Sequence, residues 1–238
     1  MIIDAISDLH GHYPQLEGGA LLIVAGDCLK RETIAEKEIF FDWLADQNYK
    51  NKILVGGNHD NFLIGCMAFN EEDDFDYLCD SGTEFTFLDL AKDGVTIIRN
   101  KLKIWGSPWT AGFKGMNPHC MAFTMSYGCD TEDWLDEKFS LIPDDTDILI
   151  THSPPLYLLD ECHDYQAGKI VNVGSYALRK AIERVKPKIH IFGHIHENNG
   201  KMVRLKHSCD VKPYTDCYNV SIVDERYRPK NKATRIIL

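Results

Sequence analysis

Five short apolar runs in this chain each end in residues that bind protons or metals, and this repetition constrains the fold more than any other feature. Residues 2–6 lead through Ser7 into Asp8-Leu9-His10. Residues 20–25 lead into Gly26-Asp27. Residues 52–55 lead into Gly57-Asn58-His59-Asp60. Residues 147–151 lead into His152, and residues 188–192 into Gly193-His194-Ile195-His196. Runs of this length and apolarity read as buried strands. Helical patterns lie between them. One spans residues 33–46, with Ile34, Ile39, Phe40, Trp43 and Leu44 expected on one face and Thr33 and Glu36 expected as a capping box. Another spans residues 175–185 and stops before Pro187. Residues 84–106 read as a β-rich insert of three strands, at 85–88, 95–98 and 102–105. Strand–helix alternation predicts an α/β layer fold.

In such a sheet, ligands bind at the carboxyl ends of the strands. Five strand ends would therefore deliver Asp8, His10, Asp27, Asn58, His152, His194 and His196 to one edge. Any one of these pieces alone would pass as a turn; the five in this order read as one site. Carboxylate oxygen, amide oxygen and imidazole nitrogen together suit manganese, iron, nickel or zinc better than calcium. Seven donors exceed one tetrahedral ion and suit two divalent ions sharing a carboxylate. Gly26, Gly57 and Gly193 are expected to give the backbone freedom that aims these side chains.

Composition narrows the partners. The formal net charge of −10 and pI near 5.4 oppose a long nucleic-acid groove or an anionic membrane surface. No apolar run approaches the roughly 20 residues of a membrane helix, and the N-terminus reads as a strand, not a signal peptide. Eight cysteines without a CxxC pair argue against structural zinc. They read as small core residues with free thiols, in a cytoplasmic protein. Neither a repeat nor a Gly/Ser/Pro linker divides the 238 residues, so one domain over residues 1–238 is expected. The acidic run at residues 71–76 reads as a solvated loop.

As a set, the five blocks resemble the calcineurin-like metallophosphoesterase superfamily. Trp105-Gly106-Ser107-Pro108-Trp109, Phe192-Gly193-His194-Ile195-His196-Glu197 and the tail from Asn219 to Glu225 are similar to its small metallophosphoesterase-domain-containing branch. The resemblance implies a four-layer αββα sandwich. It implies that Asp8, His10 and His196 hold one metal, that Asn58, His152 and His194 hold the other, and that Asp27 bridges. It implies that His59 protonates the leaving oxygen, a role suited to a group titrating near neutrality. Asp60 is either a supporting carboxylate behind the ligands or a cap for the helix that follows.

One departure bears on substrate. Gly26-Asp27-Cys28-Leu29-Lys30-Arg31 aligns with a Ser/Thr phosphoprotein phosphatase block, but Lys30 stands where those enzymes place an Asp, and Glu32 replaces a Gly. Arg31 matches their phosphate-binding arginine. The expected activity is therefore a dinuclear phosphodiesterase, with manganese favoured in vitro, acting on cyclic nucleotides or other small diesters. A phosphomonoesterase or protein phosphatase is the alternative, and a catalytically silent metal-binding scaffold is an alternative of another class. A DNA exonuclease is disfavoured by the charge. Trp109, at the start of an aromatic and glycine-rich stretch over residues 109–119, is a candidate for stacking a nucleobase. A homodimer is left open.

Overall fold

The computed structural model describes residues 1–65, 74–90, 97–112, 116–125, 128, 130–164, 167–208, 211 and 213–238, with side chains omitted at 87–90 and 97–100. In chain order the elements are β1 (Ile2–Ile6), β2 (Gly19–Ala25), α1 (Ile34–Asp46), β3 (Tyr49–Val55), β4 (Asp76–Tyr77), β5 (Ser81–Leu90), β6 (Ile97–Ser107), β7 (Thr110–Ala111) and β8 (Thr124–Met125). They continue with α2 (Thr131–Ser140), β9 (Ile148–Thr151), β10 (Glu161–Asp164), β11 (Lys169–Asn172), α3 (Tyr176–Val185), β12 (Ile189–Phe192), β13 (Met202–Lys206), β14 (Tyr214–Asn219) and β15 (Thr234–Ile237).

Two sheets carry the architecture. One has the order β15-β1-β2-β3-β4 and the other β13-β14-β12-β9-β6-β5. Within the first, β1 to β4 run parallel and β15 closes the edge antiparallel to β1. Within the second, β14, β12, β9 and β6 run parallel, while β13 and β5 flank them antiparallel.

Side-chain alternation sorts the apolar residues into layers. Ile3, Leu21, Ile23, Ile53 and Val55 of the first sheet pack against Leu102, Ile104, Ile148, Ile150, Ile189 and Ile191 of the second, forming the central core. The opposite face of the first sheet offers Ile6, Leu22, Val24 and Leu54 to Phe40, Trp43 and Leu44 of α1. The outer face of the second offers Leu149 to Leu135 and Phe139 of α2 and Leu178, Ile182 and Val185 of α3. The result is the four-layer αββα sandwich. Strands buried on both faces explain why the five runs are nearly continuous in apolar residues.

Several sequence expectations change in detail. On α1, Phe40, Trp43 and Leu44 are buried but Ile34 and Ile39 are exposed. At 100° per residue Ile34 points away from the sheet, while Ile39 sits at the flank of the buried stripe beside Trp43. Thr33 Oγ1 does accept the Glu36 N–H at 3.2 Å, but the Glu36 carboxylate turns outward to the Lys30 and Arg31 N–H groups, at 2.6 and 2.8 Å. The capping box is therefore half formed. Helix α3 begins at its Ser175 cap, whose Oγ accepts the Leu178 N–H, and ends at Lys186, φ 52°, just before Pro187.

The segment read as an insert is the hairpin β5–β6. Its second strand joins the core sheet beside β9, so it is an integral part of that sheet. Residues 97–98 and 102–105 share the single strand β6, and Val95 lies outside the described residues. The acidic run falls partly outside them too. Within it, Asp74 pairs with Lys52 at 2.6 Å and Asp76 belongs to β4. Among the described cysteines, Cys28 and Cys217 are buried, while Cys79, Cys120 and Cys162 are half-buried, and all five are free thiols. No helix among the described residues is long and apolar enough to cross a membrane.

Candidate metal centre

The ends of β1, β2 and β3 meet the ends of β9 and β12 across the top of the sandwich. Ser7 N–H donates to Val220 O at 3.0 Å, and His194 N–H donates to the Asp8 carboxylate at 3.1 Å, so the two sheets touch at the site itself. All seven residues singled out at the strand ends, and His59 with them, converge there. Asp8, His10 and His196 place donor atoms within 4.8 Å of one another, as do Asp27, His152 and His194, and as do His10, Asp27 and His59.

Backbone geometry aims these side chains. Asp8, His10, Asp27 and His194 all take left-handed φ, at 53°, 43°, 57° and 67°. Such angles cost of order 1–3 kcal/mol at a non-glycine residue and cluster at functional sites. Of the three glycines, only Gly26 uses conformational freedom, at φ +93°. Gly57 and Gly193 are there for space. A Cβ on Gly193 would sit 2.1 Å from Asp8 Oδ2, and one on Gly57 2.4 Å from Asp27 Oδ1.

Asp27 lies between two groups of nitrogen donors. Its Oδ2 is 3.7 Å from His10 Nε2, and its Oδ1 is 3.3 Å from His152 Nε2. Asn58 Oδ1 lies 3.0 Å from the same His152 nitrogen, and His196 Nε2 lies 3.2 Å from Asp8 Oδ1. Ala25 O, 3.0 Å from His152 Nδ1, can only accept, so Nδ1 carries the proton and Nε2 faces the oxygens. Asp60, fully buried, takes the N–H groups of Asp27, Cys28 and Gly57 at 2.8 to 2.9 Å. The short 3-10 turn that follows receives no side-chain cap from it. The supporting role is the one observed.

Electrostatics divide the histidines. Burial pushes His10 down to about 4, in spite of Asp27 and Asp8, and burial with His152 alongside pushes His194 down to about 3. Both are neutral donors at neutral pH. Burial opposes the charged form of His152 as well, but the Asp27 charge and hydrogen bond override it and push that ring up to about 10. Asp8, although buried, is held below the ordinary carboxylate range by His196. A proton on His152 Nε2 and a divalent cation would compete for the same place among Asp27 and Asn58 oxygens.

The donor set fits divalent metal. His10 Nε2 is buried, faces the cluster and has no hydrogen-bond partner. An orphaned imidazole nitrogen among carboxylates costs free energy unless something occupies its lone pair. Mixed N/O donors in overlapping groups are the coordination chemistry of hard-to-intermediate divalent ions.

The two substrate candidates separate. Arg31 is exposed on a basin that also touches His59. Trp109 instead lines a cavity of about 500 Å³ with Leu63, Tyr77, Phe123 and Trp134, away from the metal-site residues. Its indole N–H donates to Asp80 at 2.6 Å and its ring carries Lys138 at 4.4 Å, so it is engaged in packing. Part of the aromatic stretch, residues 113–115, lies outside the described residues.

Tyr227 was not read from the sequence. Its ring lies 4.8 Å from His10 and 5.1 Å from His196, edge to face. Asp224 holds the turn that presents it, accepting the N–H groups of Arg226 and Arg228 and the Arg228 guanidinium. The similarity noted over Asn219–Glu225 stops two residues short of it, and a lone aromatic in a turn carries no periodic signal.

Comparison with known proteins agrees with this arrangement. Metallophosphoesterase domain-containing protein 1 of Homo sapiens is 32% identical over 95% of this chain, which spans 67% of that protein. A UPF0046 protein of Caenorhabditis elegans is 28% identical over 92% of this chain, which spans 54% of that protein. A solved structure at 13% identity superposes with a TM-score of 0.58 over 92% of this chain and 89% of its own, which speaks for the fold. The calcineurin-like phosphoesterase family matches residues 1–198, a span that holds every strand end feeding the cluster. By that match and by its similarity to the human protein, the chain belongs to the calcineurin-like phosphoesterase family.

Proposed function

We propose that residues 1–238 form one metal-dependent phosphodiesterase domain acting on small diesters, cyclic nucleotides among them. Asp8, His10 and His196 would hold one divalent ion, and Asn58, His152 and His194 a second. Asp27 would serve both, since its two oxygens face His10 and His152 separately. Such ions, with manganese the first to try, polarise phosphoryl oxygens and acidify water. The chain's own residues do the rest. His59 is half-buried at the rim, its Nε2 4.0 Å from Asp27 Oδ2, where it can hold a proton toward the leaving oxygen. Its backbone N–H donates to Asp27 Oδ1 at 2.9 Å, which fixes the relation between the two. Asp60 sets the loops that carry Asp27 and Asn58.

The observation that favours a diester is the placement of cations. Lys30 and Arg31 line the basin beyond His59 and do not line the one that holds the Asp/His cluster. A dianionic monoester calls for extra positive charge beside the metals; a monoanionic diester does not. The test is kcat/KM for a chromogenic diester against the matching monoester, with a 2′,3′-cyclic nucleotide as third substrate. A diester preference is expected. A monoester preference of about tenfold that disappears in Arg31→Ala would move the chain to the phosphomonoesterases.

A further inference from the structure

His59 stands on the boundary of two basins. On one side is the metal basin, about 350 Å³, whose outer wall includes Glu197, Glu225 and Tyr227. On the other is a basin of about 360 Å³ walled by Lys30, Arg31, Asn61 and His119. His59, Asn117 and Cys120 line both, so the two basins adjoin at the His59 ring. The metal basin is lined by carboxylates, and the basin beyond His59 by two cations and the carboxylate of Glu32.

The cationic end is built. The Glu36 carboxylate takes the backbone N–H groups of Lys30 and Arg31, which pins the loop after β2 and leaves both side chains free of it. Glu32 is the carboxylate in that wall; its donors are neutral, so the wall sets two cations against one carboxylate. Glu32 accepts from Asn61 Nδ2 at 2.8 Å and from Phe62 N–H at 3.3 Å. Among the described residues neither Lys30 nor Arg31 forms an ion pair, although the chain carries ten more acidic than basic groups. Two exposed cations without an ion-pair partner, in a wall that holds one carboxylate, leave a net positive charge that favours an anion there.

We propose that, for acyclic diesters, the basin beyond His59 receives the leaving alcohol of the substrate, and that this alcohol carries a second anionic group, a phosphate or carboxylate, held by Lys30 and Arg31. The proposal rests on the reading of His59 as proton donor to the leaving oxygen, because that role puts the leaving group on the His59 side. In the reaction the oxygen of water bonds to phosphorus and the bond from phosphorus to the leaving oxygen breaks. His59 supplies the proton that completes the alcohol and regains one from solvent, and the remaining phosphomonoester stays on the metal side. The non-leaving substituent then lies toward Tyr227, Glu197 and Glu225, where a neutral or cationic group is favoured.

The experiment uses two methyl phosphodiesters of one nitrophenol, bearing either a carboxylate or a carboxamide, with the Mn²⁺-loaded protein. The expected kcat/KM ratio is about tenfold in favour of the carboxylate, shrinking at about 0.5 M salt. In Lys30→Gln/Arg31→Gln the ratio is expected to fall to about one. Calorimetric binding of the free carboxylate-bearing phenol is a second readout, with at least about fivefold weaker binding expected in the double variant. Turnover of both esters with a ratio near one, or equal phenol binding by parent and variant, overturns the proposal while leaving the hydrolase standing. Binding of the phenol that depends on Lys30 and Arg31, with neither ester hydrolysed, leaves the anion basin standing and removes the hydrolase reading instead.

Discussion

The Asp60 carboxylate holds three backbone N–H groups, those of Asp27 and Cys28 in one loop and that of Gly57 in another. Asp60→Asn keeps the shape but turns part of the acceptor into a donor. At least one buried N–H then loses its partner, at about 1–3 kcal/mol. Metal affinity is expected to fall roughly 10–100-fold, as for other changes behind a ligand; titration with a chelator of known affinity measures it, and unchanged affinity would remove Asp60 from the site. His59 makes the opposite prediction. His59→Ala should retain its metal while losing about 10²–10⁴ in rate on esters of poor leaving groups, and much less on nitrophenyl esters. An equal loss on both would assign His59 to structure or binding. The residues legible in the sequence were those delivered by strand ends, because a buried strand announces where it stops. Tyr227 and Cys120 reach the same basin from loops and Cys162 from the short strand β10, and nothing local in their spelling says so.

Among the elements, strands were read more faithfully than helices. β1, β2, β3, β9 and β12 are buried on both faces, so their apolar runs have sharp ends. Helix α2 went unread because only Thr131, Leu135 and Phe139 of its ten residues are buried, too few to set a period. Strand β12 also carries His190, which is fully buried; its Nε2 meets Thr151 Oγ1 at 2.9 Å and its Nδ1 has no partner. Burial pushes it down to about 3. Between pH 3 and the ordinary histidine value near 6.5, the unfolded chain therefore binds a proton that the folded chain refuses. Stability should rise with pH across that window, and fall as pH drops through it, with His190 contributing a slope of about 1.4 kcal/mol per unit. Denaturant midpoints for the parent and for His190→Phe at pH 4 and pH 7 check this. Parallel pH dependence in the two proteins would mean that His190 keeps its charge inside the fold.

At the scale of the whole molecule, the candidate ligands come from both sheets: Asp8, His10, Asp27 and Asn58 from the first, His152, His194 and His196 from the second. A cation bound only by the folded state stabilises it by about 4 kcal/mol at a thousandfold excess over its dissociation constant. For a chain of this length that is on the order of 10 °C in Tm. Chelation is therefore expected to lower Tm by that order and to abolish turnover, with Mn²⁺ restoring both. A Tm indifferent to chelator and to added Mn²⁺ would mean that no ion spans the sheets. The α/β layer class was legible from strand–helix alternation, while the order αββα followed from the family resemblance. The antiparallel closure by β15 was not legible, since its partner β1 lies at the far end of the chain and leaves no local trace; β5 and β13 pair with their chain neighbours β6 and β14.

The seam where the sheets touch has a mechanical reading. Asp8 meets the His194 N–H across it, and the donors on either side lie within a few ångströms. Apolar contacts between the sheets are non-directional and tolerate a small slide, whereas coordination distances do not. The site thus behaves as a vernier. A displacement too slight to disturb the aliphatic core between the sheets would already misalign the donors, so the chemistry is tuned by how two broad, featureless surfaces are registered on each other.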